Sequence, residues 1–124
     1  MTSEPHTFDH LKLWAALEDA KLQSLYSVEN AQVLSEIVLL LGDGSERLAD
    51  VTKGNFVALV REMRERYRIG SQQLGEAILK ASELRDAGKT TKARHVYLEF
   101  LQQCPSRFYR RIARHQLSRL SKSK

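Results

Sequence analysis

The sequence predicts an all-α protein. Apolar residues recur at spacings of three and four along nearly all of its 124 residues, which is the periodicity of helices with one buried face. Glycine occurs six times and proline twice, too few for an all-β chain with frequent turns. No long alternation of apolar and polar residues indicates a strand. We therefore expect about five helices in a single domain. That domain should cover residues 1–124, with residues 1–7 and 121–124 disordered.

Two helices are expected in the first fifty residues. Thr7 is a candidate N-cap for the first, whose buried face should contain Leu11, Trp14, Leu17 and Ala20. Ser27 is a candidate N-cap for the second, whose stripe should contain Val28, Ala31, Leu34, Val38 and Leu41. Gly42 should end this helix in a left-handed conformation, and Ser45 should cap a short helical piece after the turn.

One long helix is predicted in the middle of the chain. Its apolar positions alternate spacings of four and three without a slip: Phe56, Val60, Met63, Tyr67, Gly70, Leu74, Ala77, Ala81 and Leu84. Glycine inside a helix costs about 1 kcal/mol relative to alanine, so Gly70 on this stripe suggests that another helix crosses closely there. The alternative is a break at Gly70, with Ser71 as the cap of a new helix.

Two further helices should complete the chain. Gly88 should end the long helix, and Thr90 or Thr91 should cap the next, whose inward residues are Ala93, Val96, Tyr97, Phe100 and Leu101. Pro105 stops that helix and suits the first turn of another. In the last helix the residues predicted to face the core are Phe108, Ile112, Leu117 and Leu120.

The segment 74–107 resembles a tetratricopeptide unit. Residues at the spacings 5, 4, 3 and 5 match the turn, second helix and terminator of such a unit: Gly88, Ala93, Tyr97, Phe100 and Pro105. The large aromatic residue usual near the start of the first helix is absent, since Ala77 stands there. A repeat array needs about three units, so a generic helical hairpin with good packing residues is the alternative interpretation. In either case a basic helix follows the hairpin.

Five short pieces, residues 59–66, 70–74, 84–89, 93–94 and 108–117, resemble the DUSAM-domain family in their order and spacing. That family is a large paralogous set of myxobacterial proteins, and the resemblance extends from about Phe8 to Leu120. Because the family has no assigned activity, the resemblance implies a lineage and a cytoplasmic setting but no catalytic residue. Large paralogous sets of small proteins often serve partner-specific recognition, so an immunity protein that neutralises a toxin is one hypothesis.

Charge is distributed unevenly along the chain. The net charge is +5, but residues 1–50 hold 3 basic and 9 acidic side chains, whereas residues 51–124 hold 17 and 6. The last twenty residues contain no acidic residue, and their arginines are Arg107, Arg110, Arg111, Arg114 and Arg119. We predict that these arginines bind a protein partner with an acidic surface. One alternative is that the arginines are solvated or pair with the acidic first half of the same chain. The others are binding of nucleic acid through its phosphates and assembly with a second copy of the chain.

No group of residues in the sequence indicates catalysis or a cofactor. Cys104 has no evident histidine partner, so a small buried cysteine is the better interpretation. His6 and His10 have the spacing of two metal ligands on a helix, but a site needs a third ligand.

The longest apolar run, Ile37 to Leu41, is far below the roughly 20 residues that span a bilayer, and no signal sequence is present. We expect a non-catalytic, cytoplasmic interaction protein without metal, cofactor or membrane contact.

Overall fold

The computed structural model describes residues 4–42 and 51–122, with side chains from 8 to 42 and from 51 to 120, and it contains six helices in this part of the chain. They are α1 (Glu4–Ala15), α2 (Asp19–Ser24), α3 (Val28–Leu41), α4 (Phe56–Asp86), α5 (Thr90–Gln103) and α6 (Arg107–Lys122). The described residues form no strand, so the all-α prediction is confirmed. None of these helices is both long enough and apolar enough to cross a membrane.

The contacts of the chain group into two compact units, Met1–Tyr67 and Arg68–Lys124, and α4 contributes residues to each of them. The predicted domain bounds, 1–124, and the predicted disorder of residues 1–7 and 121–124 stay predictions. Within those end segments the backbone is helical from Glu4 in α1 and up to Lys122 in α6.

The first predicted helix is in fact two helices. α1 ends at Ala15, and the amide of Leu17 donates to the carbonyl of Trp14 at 3.1 Å in a tight turn before α2. Leu11 and Trp14 are buried as predicted, whereas Leu17 is half-buried in the turn and Ala20 is exposed in α2. The predicted cap at Thr7 is wrong, because α1 begins at Glu4 and includes that residue.

A guanidinium group from α4 holds the turn between α1 and α2. Arg61 donates to the carbonyl oxygens of Ala15 at 2.7 Å and Leu17 at 2.6 Å, and it pairs with the Asp19 carboxylate at 2.8 Å. The last carbonyls of a helix have no partner within the helix, and this contact supplies one. The chain can therefore leave the helix at Ala15 even though its apolar periodicity continues.

α3 begins where the sequence predicts and ends differently. Ser27 is its N-cap, and the Ser27 hydroxyl accepts a hydrogen bond from the amide of Asn30 at 3.0 Å. Val28 is 81% exposed rather than buried, because it is the first residue of the helix and the first buried residue, Leu34, follows nearly two turns later. Gly42 is the C-cap, but its φ of −87° and ψ of 176° are extended rather than left-handed. The cap predicted at Ser45 lies outside the described residues.

Aromatic side chains fill the core of the first unit. The Phe56 side chain is fully buried, with ring centroids 5.6 Å from Trp14 and 5.7 Å from Tyr26. The ring of Phe8 lies 4.8 Å from that of Tyr67, and α1 packs against α3. Each ring buries a large apolar area, so a few aromatic contacts stabilise a unit whose helices are short.

α4 is one continuous helix of 31 residues, so the predicted long helix is confirmed and the alternative of a break at Gly70 is wrong. Gly70 is buried against the ring of Tyr109 in α6, as the predicted close crossing requires. A Cβ atom at Gly70 would lie 2.3 Å from Cε2 of Tyr109, a separation that real atoms do not reach. The hydroxyl groups of Ser71 and Tyr109 lie 2.7 Å apart and share a hydrogen bond. These two contacts fix α6 against α4.

The turn after α4 forms as the sequence predicts, but the N-cap of α5 is not one of the two predicted residues. Gly88 has a φ of +79°, and the amide of Lys89 reaches the carbonyl of Leu84 at 2.8 Å, a pattern that typically closes a helix. The N-cap of α5 is Lys89, rather than Thr90 or Thr91, because the chain re-enters a helix as soon as this closure is made. Of the residues of α5 predicted to face inward, Ala93, Tyr97 and Phe100 are buried as predicted, whereas Val96 and Leu101 are only half-buried.

α6 is rotated relative to the prediction. Its buried residues are Tyr109, Ala113 and Leu120, whereas three of the four residues predicted to face the core are only half-buried: Phe108, Ile112 and Leu117. The position of the Tyr109 ring over Gly70 sets this rotation. Pro105 is exposed and precedes the helix instead of joining its first turn, since the first helical hydrogen bond runs from the Arg110 amide to the Ser106 carbonyl at 2.9 Å.

Gly70→Ala tests the close crossing of α4 and α6. An added methyl group gains about 1 kcal/mol of helix propensity but must displace the Tyr109 ring, and overpacking costs about 1–3 kcal/mol. We expect a net loss of stability, measured as a lower midpoint of thermal unfolding by circular dichroism.

Gly75→Ala is the matched control in the same helix, because nothing lies within 4 Å of a Cβ added there. We expect it to raise the unfolding midpoint slightly. Equal midpoint shifts in the two variants would contradict the proposed steric role of Gly70.

Candidate functional site

The five arginines predicted to bind a partner have three different surroundings in the structure. Three of them lie together on the outer side of α6, one is bonded to the end of α5, and one borders a cavity. The helix brings Arg107, Arg111 and Arg114 together, while Arg110 and Arg119 point to other parts of the unit. Only three of the five predicted arginines therefore form one surface, and Arg110 and Arg119 lie outside it.

We call Arg107, Arg111 and Arg114 the arginine face. They follow one another at spacings of four and three, which places them on the side of α6 opposite buried Tyr109 and Ala113, and all three are exposed. The Arg111 guanidinium carbon lies 6.0 Å from the centroid of the Phe108 ring, within cation–π range. Within the described part of the chain, no ion pair joins Arg107 or Arg114 to a carboxylate. The guanidinium groups of Arg107 and Arg114 therefore present their donors to solvent.

The charge of the surrounding unit reinforces the arginine face. Residues 68–124 contain 13 basic and 4 acidic side chains, a net charge of +9. Surface charges are screened beyond about 8–10 Å at physiological ionic strength, so the immediate neighbours matter most. The sequence of α6 contains no acidic residue, so the positive potential over this face is not cancelled within the helix.

Arg110 has a structural role at the end of α5. Its guanidinium donates to the backbone carbonyls of Leu101 and Cys104, in the last turn and C-cap of that helix. A positive charge is favourable at a helix C-terminus, where the carbonyl groups lack partners. The side chain is half-buried, and these bonds direct it away from the arginine face.

Arg119 borders a cavity of about 220 Å³ between α4, α5 and α6, which we call the Tyr97 cavity. Its polar lining residues are Ser82, Arg85, Tyr97, Gln116 and Arg119. Arg85 and Arg119 lie close enough to the Tyr97 hydroxyl to lower its pKa, but burial has the larger effect and the net shift is upward. The phenol therefore stays protonated and remains a hydrogen-bond donor at neutral pH.

The Tyr97 cavity could not be found from the sequence. Its polar groups come from three helices, and helical periodicity places Tyr97 on a core face and Arg85 near the end of the long helix. Only the packing of α6 brings Arg119 next to them. A polar residue on a core stripe is a weak signal, since tyrosine is commonly buried with only its hydroxyl near solvent.

Cys104 is buried, as predicted, with 4% of its surface exposed. Burial raises the pKa of its thiol, while a backbone hydrogen bond at Ser106 and the Arg110 charge oppose that shift. A thiol with a raised pKa is a poor nucleophile at neutral pH. The described residues contain no group of three His, Cys, Asp or Glu side chains that could hold a metal ion, and the His6 side chain lies outside them.

The fold and this surface define an all-α protein with a basic face on its last helix. Residues 49–120 match the family described as "Protein of unknown function (DUF2379)". Because the match covers more than half of the chain, the protein belongs to this family. The matched residues include all of α4 and α5 and nearly all of α6. No curated protein and no solved structure matches the chain.

Arg110→Ala should destabilise the protein. Hydrogen bonds from a charged group contribute about 1.5–3 kcal/mol, and half-burial places the expected loss near the lower end of that range. The measurement is the midpoint of thermal unfolding. Arg114→Ala removes an exposed arginine from the same helix and should leave the midpoint unchanged. Equal stability of the two variants would contradict the structural role of Arg110.

The Cys104 thiol should react slowly with a disulfide reagent such as DTNB at pH 8. Burial limits access, and the raised pKa leaves less thiolate in the folded protein than in the unfolded chain. The rate should therefore increase strongly in denaturing urea, and the pH at which the reaction rate is half its maximum should be higher for the folded protein than for the unfolded chain. Equal rates in folded and unfolded protein, with circular dichroism confirming the fold, would show that the thiol is accessible.

Proposed function

We propose that this protein is a non-catalytic interaction module that binds an acidic surface of a specific protein partner through the arginine face. The observation that supports the proposal most directly is the exposure of Arg107, Arg111 and Arg114 on one side of a helix whose other side is buried. Arginine is enriched among the residues that contribute most to protein interfaces. Its planar group offers a fork of donors that matches carboxylates.

The rigidity of α6 favours binding. Tyr109 anchors the helix through Gly70 and Ser71, and Arg110 attaches it to the end of α5. Side chains on a fixed helix lose less freedom on binding than side chains on a loop, which lowers the entropic cost of the interface. The net positive charge of residues 68–124 would also accelerate encounter with an acidic partner.

We infer that the chain is a DUSAM-domain protein, since the five pieces that carry that resemblance all lie within the family match at residues 49–120. That lineage would imply a cytoplasmic protein. Neutralisation of a toxin with an acidic surface is one form that partner binding could take, and neighbouring genes would show whether a toxin-like reading frame is present.

Nucleic-acid binding is the second candidate function, and the same surface favours it. Three exposed arginines on one face of a helix provide the phosphate contacts on which non-specific affinity depends. We favour a protein partner because the arginine face is only two helical turns long. Assembly of two copies through opposite charges is a third possibility.

Reversal of the charges in the arginine face tests the proposal. The variant carries Arg107→Glu, Arg111→Glu and Arg114→Glu and leaves structural Arg110 in place. Capture with the tagged full-length protein should retain one stoichiometric partner from native lysate, and the purified partner should bind this variant at least about tenfold more weakly. Affinity is measured by calorimetry at two salt concentrations.

The matched control carries Lys80→Glu, Lys89→Glu and Lys92→Glu, which makes the same change of charge at exposed positions elsewhere in the unit. It should bind the partner nearly as well as the original protein. Equal weakening by both variants would mean that net charge, and not the arginine face, determines binding. A mobility shift of random duplex DNA that weakens steeply with salt would favour the nucleic-acid function, and a salt-dependent mass by light scattering would favour self-assembly.

A further inference from the structure

The Tyr97 cavity contains a group of hydrogen-bond donors that the arginine face does not use. Arg85 comes from the last turn of α4, Tyr97 from the middle of α5, and Arg119 from the end of α6. Ser82 and Gln116 add two more groups that can donate, and no lining residue is acidic. The cavity is therefore positive and rich in donors, which is the chemistry that binds an oxygen anion.

The Tyr97 hydroxyl is free to bind a ligand. The residue is only 3% exposed, and the described residues offer its hydroxyl no hydrogen bond. Every fully buried side-chain oxygen or nitrogen in the described part of the chain has a partner, so this hydroxyl must have some contact with solvent. The Tyr97 cavity is the opening that borders it. Tyr97, Arg85 and Arg119 all line this cavity, and both positive charges act on the Tyr97 hydroxyl, so the lining is suited to bind an anion.

We infer that the Tyr97 cavity binds a single carboxylate group from an acidic segment of the partner protein. This inference rests on the proposed function for the source of the ligand and on the cavity for its chemistry. Two guanidinium groups provide two positive charges, and the Asp86 carboxylate lies 3.4 Å from Arg85 and cancels part of one. The remaining charge matches one carboxylate better than a phosphate group, which carries nearly two negative charges at neutral pH.

The size and position of the cavity favour a side chain over a free metabolite. Pockets for drug-sized molecules have volumes of about 300–1,000 Å³, and this cavity, at about 220 Å³, is smaller. Arg119 follows the last residue of the arginine face by five positions, about 7.5 Å along the axis of α6, on another side of the helix. At about 3.3 Å per residue, two to three extended residues cover the axial part of this separation. One acidic segment could therefore contact the arginine face and place a carboxylate in the cavity.

The test uses the full chain, labelled with nitrogen-15, and the peptide acetyl-(Glu)4-amide as the probe. Nuclear magnetic resonance should show saturable shifts of the side-chain Nε signals of Arg85 and Arg119 as the peptide is added. Arg119→Gln and Arg85→Gln should each weaken binding by about tenfold, because each removes a positive charge and the guanidinium donors. Tyr97→Phe should weaken it by a few fold, because it removes only the hydroxyl group. Arg94→Gln, which changes an arginine of α5 outside the cavity lining, is the control and should bind the peptide unchanged.

Each comparison has a result that would overturn the inference. Saturable binding of acetyl-(Gln)4-amide would show that the carboxylates are not recognised, and saturation by inorganic phosphate in preference to the acidic peptide would assign the cavity to a free anion. Peptide binding that survives both cavity variants but is lost on reversal of the arginine face would overturn the inference and leave the proposed function intact. Loss of peptide binding in the cavity variants alone, with partner binding unchanged by reversal of the arginine face, would support the cavity and contradict the proposed function.

Discussion

The contact between Gly70 and the Tyr109 ring determines the structure of the second unit. Glycine is a poor helix residue, yet α4 continues through this position because only the absence of a side chain leaves space for the ring. The hydrogen bond between Tyr109 and Ser71 fixes the ring at its other end. A loss of about 1 kcal/mol in helix propensity thus permits a close crossing in which a large aromatic side chain is buried.

This crossing also determines the surroundings of each arginine in α6. With Tyr109 directed inward, residues three and four positions away are also inward or half-buried, and the opposite side of the helix is directed to solvent. Arg107, Arg111 and Arg114 therefore become exposed, while Arg110 reaches the end of α5 and Arg119 reaches the Tyr97 cavity. A rotation of the helix by one residue would redistribute these roles, so a packing contact in the core sets the chemistry of the surface.

Sequence periodicity predicted the helices well where many apolar residues support one register. The apolar stripe of α4 contains nine positions, one of which is Gly70. The length of this helix and its buried face could therefore be predicted. In α6 the pattern is ambiguous, since Phe108 and Tyr109 are adjacent and each begins a plausible stripe. The outcome depends on a contact with α4 that lies 39 positions earlier in the sequence, and no local pattern records it. The end of α1 is a similar case, because Arg61 comes from a distant part of the chain.

Counting basic residues therefore overestimates the charge that is available for binding. Arg61 and Arg110 each donate to two backbone carbonyls where a helix ends, one in each unit, and these bonds satisfy acceptors that would otherwise lack a partner. Arg85 and Arg66 have carboxylate neighbours at 3.4 Å and 2.9 Å. Arginine suits both structural and binding roles because its five donors form a planar fork, and sequence alone does not distinguish the two. An arginine has a structural role where packing brings a carbonyl or carboxylate oxygen within reach of its guanidinium group. On the outer side of α6, no such oxygen among the described residues reaches Arg107 or Arg114.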